Sequence, residues 1–233
     1  MRAQRIVIWS GGADSTIVLL EELLAHPSGG VVGDVVALTL EQPQIGRKEQ
    51  RIAEDMARTK FKQWLWEKHR RKVTHHTVTV RQSKDCGTPG NVGQYGLFLA
   101  HLFPYMVTEP PKSSVVLFGY IRGDDFWHDR HRFDQAFSAL AALARSEASV
   151  EYPLEWVRKD EVLGRLDQHG VPRDAWWTCE NPIGRKACGL CIKCEAVNRP
   201  PKKKVVLRAD EEPEGKKRQV KKRAVVGRGT RRK

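Results

Sequence analysis

The 233-residue sequence is short of several things, and each shortage excludes something. No stretch comes near the roughly 18 consecutive apolar residues of a membrane span, so no membrane partner is expected. The N-terminus runs directly into a short apolar segment and a glycine turn, without the layout of a secretory signal. Five cysteines are few for a disulfide scaffold, and four of them (Cys179, Cys188, Cys191 and Cys194) fall within sixteen residues. That clustering favours a metal site in a reducing compartment and predicts a cytoplasmic protein. Acidic residues are also short: 28 Asp and Glu face 41 Lys and Arg, for a formal charge of +13. The imbalance is local. Arg199–Lys233 carry 15 basic and 4 acidic residues, a net of +11, which leaves +2 for everything before them. A nearly neutral body therefore precedes a cationic tail with few large apolar residues, which reads as disordered and suited to solvation or loose attraction of nucleic acid or another polyanion.

About 40% apolar content is enough for one compact domain with a small appendage. Arg5–Trp9 is short, apolar and β-branched, as a buried parallel strand should be. Strand signals recur at Val31–Leu40, Val73–Val80 and Ser114–Gly119, with a further one at Val150–Val157. Helical spacing appears at Thr16–His26, Arg47–Arg71, Val92–Val107, Phe133–Glu147 and Lys159–His169, the last stopped by Gly170 and Pro172. This alternation predicts an α/β fold: a doubly wound, mainly parallel sheet with a small C-terminal zinc-binding subdomain. The boundaries read as 1–174 for the α/β domain, 175–198 for the cysteine segment and 199–233 for the tail. No internal repeat is visible.

Ser10-Gly11-Gly12-Ala13-Asp14-Ser15-Thr16 joins the first strand to the first helix. Two glycines let a backbone approach phosphate closely, and the helix N-terminus favours an anion there. Ser10, Ser15 and Thr16 add hydroxyls, while Asp14 either orients a magnesium ion or caps the helix. Without a Gly-Lys-Ser/Thr ending this is not a Walker-type loop. Its address at the carboxyl end of a strand is where such sheets bind ligands. The loop resembles the Ser-Gly-Gly-x-Asp-Ser signature of the PP-loop ATP pyrophosphatases, which bind ATP phosphates there and transfer AMP to a substrate oxygen. Lys159-Asp160-Glu161 fits a segment common in that superfamily, and Lys159 is either a phosphate ligand or a solvated helix-start lysine.

The cysteine spacing C-x8-C-x2-C-x2-C suits one tetrahedral Zn(II) held by four thiolates. An iron–sulfur cluster uses similar ligands, but nothing else suggests redox chemistry. Four protein ligands leave no open position, so the role is structural. Cys86 lies outside the set and reads as an ordinary thiol. Trp9 reads as core, and His128 and His131 have no partner at metal-binding spacing.

Together the loop, Tyr152-Pro153-Leu154, Lys159-Asp160-Glu161, Trp177-Thr178-Cys179 and the cysteine spacing resemble the 7-cyano-7-deazaguanine synthase family, QueC, over about residues 5–198. The resemblance implies a ligase of queuosine biosynthesis that uses ATP, Mg(II) and structural Zn(II). It adenylates the carboxylate of 7-carboxy-7-deazaguanine, amidates it with ammonia and dehydrates the amide to the nitrile, preQ0. It implies Asp14, Ser15 and Lys159 as catalytic residues, and Ser10–Thr16 with Gly119 as the ATP and pyrophosphate site. The chain departs from the family in the substrate region. Gly93-Gln94-Tyr95 stands for Gly-Arg-Asn, Glu41–Lys48 lacks Gly-Gln-Arg-His, and Asp124–Arg130 replaces Asp-x-Ser-Gly-Tyr-Pro-Asp.

Gln94 and Tyr95 are therefore substrate candidates. So are Phe126 and Trp127, for stacking on a planar ring, and Asp124 and Asp125, to accept from an exocyclic amine or bind magnesium. The departures leave open an enzyme that stops at the amide or passes the acyl group to an amine on a macromolecule, such as a protein acceptor. An RNA-modifying PP-loop enzyme and a degenerate nucleotide- or nucleic-acid-binding module are the remaining alternatives. Monomer and homodimer are both compatible with the sequence.

Overall fold

In a computed structural model, β1 (Gln4–Ile8) is the central strand of a five-stranded sheet ordered β3-β2-β1-β4-β5, with β2 at Val35–Glu41, β3 at Thr74–Thr79, β4 at Ser113–Leu117 and β5 at Glu147–Glu151. Every neighbouring pair is parallel. The structure describes residues 3–26, 35–41, 48–79, 96, 98–103, 113–184 and 186–198, all within one compact unit, Met1–Pro201. Gln94, Tyr95, Cys86 and the tail lie outside the described residues.

A parallel sheet must be covered on both faces, because each crossover lays a helix on it. Ile6 and Val7 show this in adjacent residues: alternate side chains point to opposite faces, and the two belong to different cores. On the Val7 side lie α1 (Ala13–Ala25), α2 (Lys48–His69) and α5 (Lys159–His169), packed through Ile17, Leu20, Phe61, Leu65 and Leu166. On the Ile6 side lie α3 (residues 98–103) and α4 (Arg130–Leu143), which bury Leu102, Phe133 and Phe137. A short α6 (Ile192–Asn198) ends the described chain. Among the described residues no helix is long and apolar enough to cross a membrane.

α5 spans the stretch its periodicity predicts, and Gly170 closes it at φ 69°, the left-handed conformation glycine supplies at helix ends. α1 starts at Ala13, earlier than the predicted Thr16, which puts Asp14 and Ser15 in its first turn. The strand predicted at Val150–Val157 is corrected to Glu147–Glu151. As an edge strand, β5 exposes Glu147, Ser149 and Glu151 and half-buries only Ala148 and Val150, so its apolar signal is weak. The apolar Tyr152, Leu154 and Val157 that suggested a strand are buried, but they anchor turns closed by Glu155 N–H to Tyr152 O (3.0 Å) and Val157 N–H to Leu154 O (3.0 Å).

β1 and β4 are neighbours whose onward connections run in opposite directions, to β2 and to β5. That is a topological switch point, and a crevice opens there at the carboxyl ends of the strands.

Candidate nucleotide and metal sites

The loop after β1 occupies that crevice. The first intrahelical bond of α1 runs from Thr16 N–H to Gly12 O (3.0 Å), so Ala13, Asp14 and Ser15 carry its orphan N–H donors. No side chain caps this end. Asp14 instead takes Lys159 Nζ on both carboxylate oxygens, at 2.7 and 2.6 Å. Two residues 145 apart in sequence thus meet at the mouth of the loop. The hydroxyls of Ser10 and Ser15 are engaged with each other at 3.1 Å, and Gly12 N–H donates to Ser10 Oγ at 3.2 Å.

Two glycines are required by contact. Gly11 sits at φ 89°, and a Cβ there would meet the carbonyl oxygen of Glu54 at 2.9 Å. A Cβ on Gly119 would meet the backbone carbon of Asp14 and the nitrogen of Ser15, both at 2.9 Å. The end of β4 therefore lies directly against the first turn of α1.

Beneath the loop, α2 contributes a residue that sequence reasoning misses. Arg58 is 3% exposed and donates from Nη1 to Ser10 O at 2.7 Å. Its Nη2 faces Glu41 and Asp55, each at 3.4 Å, while the buried Nε has no hydrogen-bond partner. Nothing in a helix this rich in charge distinguishes Arg58 beforehand. Trp9 is fully buried, as predicted, and organises a polar relay. Its Nε1–H donates to Thr16 Oγ1 (3.0 Å), and Thr39 Oγ1 donates to Trp9 O (2.6 Å). That hydroxyl has spent its proton, so at 2.8 Å it accepts from His75 Nε2–H. Burial, reinforced by Lys62 and Arg58, lowers the His75 pKa to about 4 and keeps the ring neutral.

The loop walls two cavities. One, of about 150 Å³, is lined by Gly12, Asp14, Glu54, Lys159, Glu180 and Lys193, with Ala13, Gln50 and Trp177–Cys179 completing it. Burial raises the Glu54 pKa against an opposing hydrogen bond from Gln50. The other, of about 240 Å³, is lined by Ser10, Asp14, Gly119 and Asp124 with the rings of Phe98, Phe118 and Tyr120. Burial also raises the Asp124 pKa, opposed by the N–H of Ile121, which its Oδ2 accepts at 2.9 Å.

The predicted substrate segment divides. Asp124 lines the aromatic cavity, but Asp125 is exposed on a 3-10 turn spanning Asp125–His128. Phe126 is 1% exposed and stacks behind Tyr120, ring centroids 4.0 Å apart, so the ring that faces the cavity is Tyr120. Trp127 is half-buried against Tyr152 and under the Arg130 guanidinium. Tyr120 follows Gly119 at the end of β4, and that strand-end position is the signal that could have marked it.

The four cysteines converge: their sulfurs all lie within 4.8 Å of one another, with Cys188 and Cys194 at 3.9 Å. A tetrahedral zinc with Zn–S near 2.3 Å needs sulfurs about 3.8 Å apart, so the set fits such an ion. Cys188 Sγ accepts from the N–H groups of Leu190 (3.4 Å) and Cys191 (3.3 Å), which lowers its pKa and prepares a thiolate ligand. The cluster adjoins the loop through the backbone. Trp177 N–H donates to Gly11 O at 2.9 Å, and Trp177 Nε1–H to Cys179 O at 2.7 Å.

These features define a Rossmann-like α/β protein with a glycine loop at its switch point and a four-cysteine cluster beside it. Residues 115–201 match the family model described as Queuosine biosynthesis protein QueC, consistent with a QueC-like member. The match begins within β4, after the Ser10–Ser15 loop, and takes in Lys159 and all four cysteines.

Proposed function

We propose that the protein is an ATP-dependent ligase that adenylates 7-carboxy-7-deazaguanine and amidates it with ammonia, then dehydrates the amide to 7-cyano-7-deazaguanine. The observation that carries this reading is the Asp14–Lys159 pair, in which a lysine from the QueC-matching segment meets the aspartate of the Ser-Gly-Gly-Ala-Asp-Ser loop.

In the first step a carboxylate oxygen of the acid attacks the α-phosphorus of ATP, and the bond to the bridging oxygen breaks to release pyrophosphate. The orphan N–H groups of Ala13, Asp14 and Ser15 are placed to receive that charge, with Lys159 as a point cation. Phosphate arrival requires Lys159 to leave or share Asp14. Ammonia then attacks the acyl carbon and AMP departs, leaving the amide. A second ATP activates the amide oxygen, and loss of AMP and a proton gives the nitrile. Magnesium, when bound, would neutralise phosphate charge, and Asp14, which lines both cavities, would hold it. Zinc on the four cysteines serves the scaffold, since four protein ligands leave no open coordination position. The planar ring suits the aromatic cavity, where Tyr120 and Phe118 offer ring contacts and Asp124 an acceptor.

The test is mass spectrometry of the full-length, zinc-loaded protein with ATP, ammonium and 7-carboxy-7-deazaguanine. AMP together with the nitrile is expected. Amide alone would confine the activity to a single activation, and absence of acid-dependent pyrophosphate release would overturn the proposal.

A further inference from the structure

The body carries a net charge of only +2, yet the structure gathers its cations unevenly. At the C-terminal end of α2 and the entry to β3, Lys62, Trp66, Arg71, Lys72 and Val73 line a concavity of about 470 Å³. Trp66 is 44% exposed there. The Arg70 guanidinium and Lys72 ammonium lie over its ring, 5.9 and 5.5 Å from the centroid. Among the described residues, none of Lys62, Arg70, Arg71 and Lys72 forms an ion pair with a carboxylate, although Arg71 donates to Leu23 O; Lys68 lies over Trp64 and donates to His169 O, and Lys60 pairs with Asp174. The acidic neighbour on this turn, Glu67, accepts instead from Gln63.

Cations at a helix C-terminus complement its dipole, and that explains one or two of them. It does not explain the rest. Lys72 lies beyond the helix and Lys62 nearly two turns before its end. Arg70 is also held at φ 54°, a left-handed conformation where glycine or asparagine is usual and arginine is strained. An exposed indole flanked by uncompensated guanidinium and ammonium groups matches one chemistry closely. A base stacks on the ring while the cations hold successive phosphates, without sequence preference.

We propose that this patch binds a single-stranded nucleic acid segment. Because all five strands are parallel, the entry to β3 lies at the amino ends of the strands, opposite the carboxyl ends where the loop after β1 sits. Occupation of the patch therefore leaves the nucleotide crevice free. The inference is independent of the proposed ligase reaction.

The test is fluorescence anisotropy of the full-length protein with labelled 12-nucleotide oligothymidylate and oligouridylate, across a salt series and with saturating ATP. Trp66→Ala is expected to weaken binding on the order of tenfold, and Trp66→Phe to retain most of it. Lys62→Gln with Lys72→Gln should reduce the slope of log K against log salt by about 1.4. ATP should not compete. Thermal midpoints report whether the variants stay folded, and acid-dependent pyrophosphate release should be unchanged in Trp66→Ala. Unchanged oligonucleotide affinity in a folded Trp66→Ala would overturn the proposal and assign any binding to the Arg199–Lys233 tail. Tighter binding of a duplex of equal length would also overturn it. So would Trp66-dependent binding confined to phosphatidylserine vesicles.

Discussion

The two cavities that share Gly12 and Asp14 differ in almost everything else. The one toward the cysteine cluster, about 150 Å³, is walled by charge from Asp14, Glu54, Glu180, Lys159 and Lys193. The one toward β4, about 240 Å³, is walled by Phe98, Phe118 and Tyr120, with Asp124 as a further charged group beside the shared Asp14. A single strand-to-helix turn thus divides the crevice into a polar half and an aromatic half. The division follows from topology: α5 and the cysteine segment reach the loop from one side, and the end of β4 from the other. Under the proposed reaction, phosphates belong to the polar half and the planar ring to the aromatic half.

The largest expected effect breaks the polar half from outside. Stripping the metal with a chelator, or Cys194→Ser, should release the Trp177 backbone from Gly11, since Cys179 stands two residues beyond Trp177. Metal content by inductively coupled plasma mass spectrometry should drop from one zinc per chain, with a lower thermal midpoint and loss of pyrophosphate release. Next, Lys159→Met removes a cation from the polar half alone. Acid-dependent pyrophosphate release should fall about 100-fold or more while KM for the acid stays nearly constant. An equal effect on KM would show that the halves are not separate.

Tyr120→Ala is the complementary test. It should raise KM for the acid about 2- to 10-fold with kcat little changed, and Tyr120→Phe should restore most of the loss. The smallest effect concerns His75, which is held by Thr39 and packs against Trp9. Its folded pKa, about 4, lies below the ordinary 6.5, so between those values the unfolded chain binds a proton that the folded chain does not. Stability is therefore fully present above about pH 6.5 and declines as pH falls toward 4. His75→Phe keeps a ring beside Trp9 and should flatten that slope in denaturant melts across the window.

Much of this was legible in the chain. The Gly11-Gly12 turn after an apolar strand, the four cysteines and the helix from Lys159 to Gly170 are local patterns, each fixed by residues close in sequence. β5 was misplaced because an edge strand buries only one face, so Glu147–Glu151 carries little apolar signal while the buried turn after it carries more. Arg58 and Tyr120 were missed for a different reason. Each acts through a contact made by distant segments, Arg58 with Ser10 across 48 residues and Tyr120 with a cavity shared by β1 and α3.

By itself, then, the sequence determined the α/β class, the glycine loop after the first strand, the cysteine set and the concentration of positive charge in the tail. These depend on composition, periodicity and short spacings. Only the tertiary structure decided that Lys159 meets Asp14, that Arg58 reaches Ser10 O, and that Tyr120 rather than Phe126 faces the crevice. Those are juxtapositions created by parallel crossovers, and no local window of sequence contains both partners.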